Sequence, residues 1–487
     1  MKNRHLSILI ALLLSLLLLT LSALSLIGCA PTEEPDEPSG DIGGSEEGEG
    51  EKTLPLTIAG NDLENYKIIY DDNKFARDCA LKIWGEILRV SGKNLPMRTD
   101  AEAEGEFEIL VGKTNRSQSA AVRAEYDRPN VYFTVKTVES KLVIMAEGVT
   151  TLEKVGELFV KYLSDEQNRT IAGNVISGDV LGEFDSSNIS IANPATGTDL
   201  RVFHWNMAAP YLNPSVTPPP VVYDSNVIRG QVMADIILMY YPDVITTNEF
   251  YKSHNGDSTF FDAVMNELSE YYTCLDSPYD TNKPEDGAEA IPGKTINSNI
   301  IYKRDAGLEV IDSSWRYSTE KTTVTASNPG GWVYYHGSHT AVFSKNGNRF
   351  ILSVAHYADS RSKNQWAKEH LAAVADAQAL YGRDSALPVI LTGDMYVGQV
   401  HTSPDSGYKY LAANGYYDAQ RTAKLNANEN IQHGTFHVIG EIQTARLSED
   451  FVWYTDEIEA LAFKVIATQD TADTSDHYPV IADLSFK

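Results

Sequence analysis

Apolar residues are distributed along this chain in three different ways. After Lys2 and Arg4 comes an unbroken Leu-rich run that continues to Ile27. The stretch PTEEPDEPSGDIGGSEEGEGEK then has almost no apolar residues. From about Thr53 onward short apolar runs alternate with segments in which apolar residues recur at helical spacing, the pattern of strands and amphipathic helices. A strand is predicted at Lys67 to Tyr70. Ala76, Ala80, Ile83, Trp84, Ile87 and Leu88 predict a helix that Gly92 stops. Phe107 to Val111 reads as a strand ending at Gly112, and Tyr132 to Lys136 with Leu142 to Ala146 as a hairpin. Leu152, Val155, Leu158, Phe159 and Tyr162 mark a second helix. This order predicts one sheet covered by helices on one side. Cys79, on the first helix, reads as a small buried apolar residue.

A polar segment near Ser186 to Thr198 separates this part from a longer one. Beyond it the α/β pattern continues: a strand at Leu200 to Trp205 ending at Asn206, then a helix over Val227 to Tyr240 with Ile228, Val232, Ile236 and Met239 on one side. The strand Val244 to Thr247 delivers Glu249, Phe350 to Ala355 delivers His356, and Leu387 to Leu391 leads to Asp394. Asp450 precedes the strand Phe451 to Tyr454, and Asp476-His477 precedes Tyr478 to Leu484. One polar residue at a strand end is ordinarily a cap or turn. Several carboxylates, an Asn and two His at successive strand ends are how a rigid sheet presents a site. The division expected is 1–29 signal, 30–52 solvated spacer, 53–190 small α+β domain and 198–487 large domain. Trp205, Trp332, Trp366 and Trp453 are expected in the core or at its rim.

Composition narrows the classes. With 67 acidic against 40 basic residues the formal net charge is −27, which argues against a broad basic face for polyanions. Three cysteines cannot build a disulfide framework, and Cys274 has no apparent thiol partner. The chain carries no Gly-x-Ser-x-Gly elbow, no His-Glu-x-x-His and no Walker-type loop. Leu26-Ile27-Gly28-Cys29 resembles the lipobox of bacterial lipoproteins, which implies lipid on Cys29 and removal of the preceding segment. The other reading is a permanent membrane anchor, since the apolar run is nearly long enough to span. Either way the folded part is expected outside the cytoplasm, tethered to a membrane, with the Pro-, Gly- and Glu-rich stretch holding it off the surface.

Seven pieces of the large part resemble, in order, the endonuclease/exonuclease/phosphatase family. They are HWNM around Asn206, PDVITTNEF around Glu249, NSNIIYKRD around Asn299, ILSVAHYAD around His356, VILTGDMY around Asp394, LSEDFVWY around Asp450, and the terminal TSDHYPVIADL. The resemblance implies two packed β-sheets flanked by helices, a four-layer α/β sandwich, and phosphoester hydrolysis with Mg²⁺ or Mn²⁺. It implies that Glu249 and Asn206 hold the metal with Asp476 in or beside its shell. Asp394 would orient or deprotonate water. His356 and His477 would contact phosphoryl oxygens, and Asp450 would pair with His477. Asn299 either reaches the site or only satisfies backbone groups. The chain departs from the family at Asp394-Met395-Tyr396, where Asp-x-Asn is usual. Either the Tyr396 hydroxyl takes over the Asn contact with shifted geometry, or that contact is lost.

The small domain resembles the N-terminal accessory domain of glycoside hydrolases, on SGKNLP, EILVGKTNR and KLVIMAEG, and a glycan contact through it is one expected partner interaction. The acidity of the large part shifts the expected substrate from nucleic acid toward a phospholipid headgroup or sugar phosphate, with nucleic acid still open. The loop Asp276 to Ile296 would border the pocket or be plain surface. The competing reading is an impaired family member that binds glycans or phosphorylated polymers at the surface without turnover.

Overall fold

The computed structural model describes residues 55–126, 128–184, 191–208, 223, 225–252, 258–275, 298–317, 337–357, 363–383, 385–395, 406–427, 434–437, 439–440, 442 and 448–487. Cys29, the spacer, the loop 276–296, Trp332 and Tyr396 lie outside them. Residues Leu54–Lys487 form one compact unit. Among the described residues no helix is long and apolar enough to cross a membrane.

The first part is built on strands β1 (Lys67–Tyr70), β2 (Met97–Thr99), β3 (Glu108–Val111), β4 (Tyr132–Val138), β5 (Lys141–Ala146) and β6 (Asn174–Asp179). They lie in the order β2-β1-β3-β5-β4-β6. Helix α1 (Lys74–Ser91) starts where the Asn73 side chain accepts from the Ala76 N–H at 2.9 Å, a cap contributing about 1 kcal/mol. It ends at Gly92, whose φ of 68° is left-handed and cheap only for glycine. Helices α1 and α3 (Val149–Ser164) bury Cys79, Ile83, Ile87, Leu152, Val155 and Phe159 against one face of the sheet. Burial there pushes the Cys79 thiol up to about 12. The other face is also covered: Val122 of the short helix α2 (Ser117–Arg123) packs on Ile69, Leu110, Val143 and Met145. The expected one-sided covering missed this because a seven-residue helix gives too little periodicity to read.

The second part is an α/β sandwich. Its first sheet holds β7 (Leu200–Asn206), β8 (Val244–Asn248), β9 (Tyr272–Cys274), β10 (Asn299–Lys303), β16 (Leu425–Asn426), β18 (Ile458–Val465) and β19 (Val480–Phe486). Their order is β9-β10-β8-β7-β19-β18-β16. The second sheet holds β11 (Leu308–Tyr317), β12 (Gly337–Lys345), β13 (Asn348–Ala355), β14 (Val389–Asp394), β15 (Tyr417–Asp418) and β17 (Asp450–Tyr454), ordered β11-β12-β13-β14-β17-β15. Leu200, Val202, Val244 and Val480 of the first sheet meet Phe343, Leu352, Ile390 and Val452 of the second in one buried core. Helices α4 (Asn226–Tyr240) and α5 (Thr259–Leu268) cover the first sheet outside, and α6 (Lys363–Tyr381) covers the second. These are the four layers of the expected architecture.

Helix α4 is buried nearly all round, at Gly230 and from Val232 to Leu238, because the first part packs on its other side. The Val149 N–H donates to Asp235 Oδ2 at 2.5 Å and Asn130 donates to the Asp235 carbonyl at 2.8 Å. Lys113 pairs with Glu267 at 3.1 Å.

Candidate active site

Strand parity builds the site. Side chains alternate across a strand, and in β7 the inward positions run Leu200, Val202, His204, Asn206. In β8 they run Val244, Thr246, Asn248, and in β14 Ile390, Thr392, Asp394. Each strand therefore turns from apolar to polar toward one end, and the two sheets face each other there with polar groups. Two asparagines clamp the sheets together across this end. Asn206 Nδ2 donates to Asp394 Oδ2 at 2.9 Å, and the Asp394 N–H donates to Asn248 Oδ1 at 2.7 Å. The Asn206 Oδ1 accepts from the Ala208 N–H at 3.0 Å, so this amide orients Asp394. Gly393 makes the approach of β13 and β14 possible: its φ is 151°, and a Cβ there would sit 1.9 Å from the Ala355 carbonyl oxygen.

Asp450 and His477 meet from opposite sheets, with His477 Nδ1 and Asp450 Oδ2 2.8 Å apart and both residues buried. Asp450 faces a second imidazole, His204 Nε2, at 3.2 Å, and Thr246 Oγ1 lies 3.1 Å from His204 Nδ1. Burial alone would lower the His477 pKa. The carboxylates of Asp450 and Asp394 outweigh it and hold the imidazole well above its ordinary range, so the ring carries a proton. Burial alone would raise Asp450, and His477 and His204 instead hold it well below the usual carboxylate range. Asp394 goes the other way: desolvation, reinforced by Asp450 and Glu449, pushes it far up despite His477 and Asn206.

His477 Nε2 and His356 Nε2 approach Asp394 Oδ2 to 3.7 and 3.5 Å, and His356 Nε2 lies 4.0 Å from Glu249 Oε1. Glu249 is partly exposed and its backbone is left-handed, with φ 53°. That conformation costs a non-glycine residue about 1 kcal/mol or more and tends to persist where a side chain must be aimed. Asn299 donates to the Phe250 carbonyl at 2.6 Å, so its amide pins the loop behind Glu249. Asp476, half-buried, sits on the loop that His477 shares. The Ser475 hydroxyl ties that loop to the Asn206 carbonyl at 2.7 Å.

Four participants carried no weight in the sequence reading: His204, Asn248, Arg229 and Glu449. Arg229, on α4, donates through Nε to the Thr474 carbonyl at 2.5 Å and through Nη2 to the carbonyls of Met207 and Ala208. It thereby joins the loops of Asn206 and Asp476. Burial lowers its pKa to about 10 against the pull of Asp476 and Glu249. Asp394, Glu449 and His477 are buried and offer ligand atoms within 4.8 Å of one another. Phe436, 42% exposed, packs edge-on against His477 with centroids 5.2 Å apart and forms part of the rim.

The donor set fits a hard divalent cation. Among the described residues Asp394 and Glu449 bring buried carboxylate oxygens together beside His477, and Asp394 Oδ1 is buried with no hydrogen-bond partner, which a cation would relieve. His477 is the poorest ligand of the group, since Asp450 keeps its ring protonated.

No family model matches the chain, and no curated protein matches it. Solved structures do resemble it. A mannosyl-6-phosphatase of Bacteroides thetaiotaomicron aligns at a TM-score of 0.44 with 18% identity, covering 59% of this chain and 100% of its own. A protein of the same organism from the endonuclease/exonuclease/phosphatase family aligns at 0.44 with 20% identity, covering 59% and 98%. The catalytic domain of human Nocturnin aligns at 0.41 with 16% identity, covering 61% and 97%. At such scores, function has to be argued from the site's own geometry.

Proposed function

We propose that this chain is a divalent-metal-dependent phosphoester hydrolase of the endonuclease/exonuclease/phosphatase type, most directly a phosphodiesterase, held outside a bacterial membrane by lipid on Cys29. The observation that carries the reaction is the meeting of Asp394, His356 and the Asp450–His477 pair, drawn from strand ends far apart in the chain, around one buried carboxylate oxygen.

Phosphoester hydrolysis needs charge neutralised on the phosphoryl oxygens, a water activated and a leaving alkoxide stabilised. The protonated Nε2 of His477 supplies a positive donor for a phosphoryl oxygen, and Asp450 preserves that charge in a buried setting. Asp394 is held by the Asn206 amide. That hydrogen bond aims the carboxylate, which is suited to orient water and take its proton. His356, between Asp394 and Glu249, donates to a second phosphoryl oxygen or to the leaving group. Glu249 and Asp476, with Asp394 as a further carboxylate, would hold Mg²⁺ or Mn²⁺. Such an ion neutralises phosphate charge and polarises the ester. Arg229 keeps the Asn206 and Asp476 loops in register.

The test is turnover of DNA, RNA, sphingomyelin, inositol phosphates, sugar phosphates and aryl phosphodiesters by the purified chain with Mg²⁺ or Mn²⁺. At least one is expected to be cleaved, and chelation, Asp394→Ala and His477→Ala should each abolish that cleavage. No cleavage with either cation, or unchanged rates in both variants, rejects the reading.

A further inference from the structure

The first part carries a groove that the strand-end site does not use. It lies over the β4–β6 strand pair, with Phe133 and Gly178 also in its lining. Tyr132, Thr134 and Lys136 line it from β4 and face Asp179, Ser177 and Asn174 across the strand pair. Its volume is about 370 Å³, within the range of about 300–1,000 Å³ typical of small-molecule sites.

Two features define the chemistry of its occupant. The first is an aromatic platform. Tyr126 and Tyr132 stack with centroids 5.0 Å apart and planes 24° apart, and Tyr132 is 37% exposed. The part of the Tyr132 ring that Tyr126 leaves open on this face of the sheet loses free energy against water unless something covers it. The second is the polar lining. Lys136 is paired with Glu125, so its charge is spent, and Asp179 adds a further negative charge. Asn174 and Ser177 supply neutral donors and acceptors.

A groove with no unspent positive charge disfavours phosphate and other anions. An exposed ring flanked by amide, hydroxyl and carboxylate groups matches a ligand that has one apolar C–H face and a ring of hydroxyls. We propose that this groove binds an uncharged oligosaccharide. An extended peptide added to the β6 edge is the less favoured occupant, because the β4–β6 pairing is interrupted by a bulge at Val135/Lys136 and β6 carries a charged end at Asp179. The site lies on a different sheet from the strand-end cluster, so the proposal stands whether or not the chain hydrolyses phosphoesters.

The experiment screens the full chain on an array of neutral manno-, gluco-, galacto- and xylo-oligosaccharides, their sulfated and phosphorylated counterparts, and extended peptides, with calorimetry on each hit. At least one neutral oligosaccharide should bind. Tyr132→Ala should weaken it about tenfold or more, and Tyr132→Phe should stay within about threefold, since the ring face survives. Asp179→Asn serves as a second variant away from the aromatic pair and should also weaken binding. Circular dichroism should be unchanged in all three variants. Binding only to anionic sugars, binding only to peptides, no binding to any neutral sugar, or equal affinity in Tyr132→Ala and the parent would each overturn the proposal.

Discussion

Asp450→Asn removes one charge from the centre of the site and almost no volume. In the parent, His477 Nδ1 and Asp450 Oδ2 are 2.8 Å apart and both residues are nearly inaccessible to water. Across that distance, at an effective dielectric near 20, the gross attraction is about 6 kcal/mol. Desolvation of the two ions takes most of it back, and hydrogen bonds to charged groups net about 1.5–3 kcal/mol. Where the reaction needs the imidazolium, kcat should fall by that amount, roughly 10- to 150-fold. The pH dependence has a definite sign. Burial favours the neutral ring, and Asp450 with Asp394 reverses this, so the parent keeps its proton as pH rises past the ordinary imidazole range. Without the Asp450 charge, burial gains ground and the proton leaves at lower pH. The alkaline limb of kcat should therefore move down in pH. The assay is hydrolysis of bis(p-nitrophenyl) phosphate from about pH 5 to about pH 10 at saturating Mn²⁺. A kcat within about threefold of the parent, with the alkaline limb unmoved, would refute this account of the pair.

Glu249→Asn should abolish turnover yet raise stability by roughly 0.5–1 kcal/mol in urea unfolding, because Asn tolerates the left-handed backbone that Glu249 adopts at φ 53°. Gly393→Ala should lower stability by more than about 3 kcal/mol and reduce activity with it, since the new methyl would meet the Ala355 carbonyl beside Asp394; urea unfolding and turnover report both. His370 is buried between Tyr357 and Ser353, and burial pushes its pKa down to about 3. Because the unfolded chain takes up that proton first, stability should fall as pH drops below about 6.5, and His370→Gln should flatten the fall. Asp418, pushed up to about 6 by burial, works in the opposite sense, so the readout is the difference between variant and parent in urea midpoints across pH.

The sequence revealed the strands by their apolar runs and the site by the residues that flank them. Asn206, His356 and Asp394 sit where a run stops, and Asp450 and His477 just before one starts. His204 was missed because it lies inside a run, where a polar residue reads as an interruption, and Asn248, at the end of its run, was passed over for the carboxylate beside it. The available signal was parity: His204 is two before Asn206, and Asn248 is two after Thr246, on the same side of their strands. Arg229 was a lone basic residue on an apolar helix, and its partners are backbone carbonyls, which leave no trace in side-chain identity. Glu449 adjoins Asp450, and that both neighbouring carboxylates reach the site depends on the register of β17 with β14. The polar clamp between sheets depends on the pairing of the layers, and no local pattern encodes that.

The most direct measurement is diffraction from a crystal soaked with Mn²⁺ and phosphate, using the anomalous signal to place the metal. The account expects manganese bound by the Glu249 and Asp476 carboxylates, with phosphate against His477 Nε2 and His356 Nε2 and beside Asp394. Manganese away from those carboxylates, or phosphate that touches neither histidine, would contradict it.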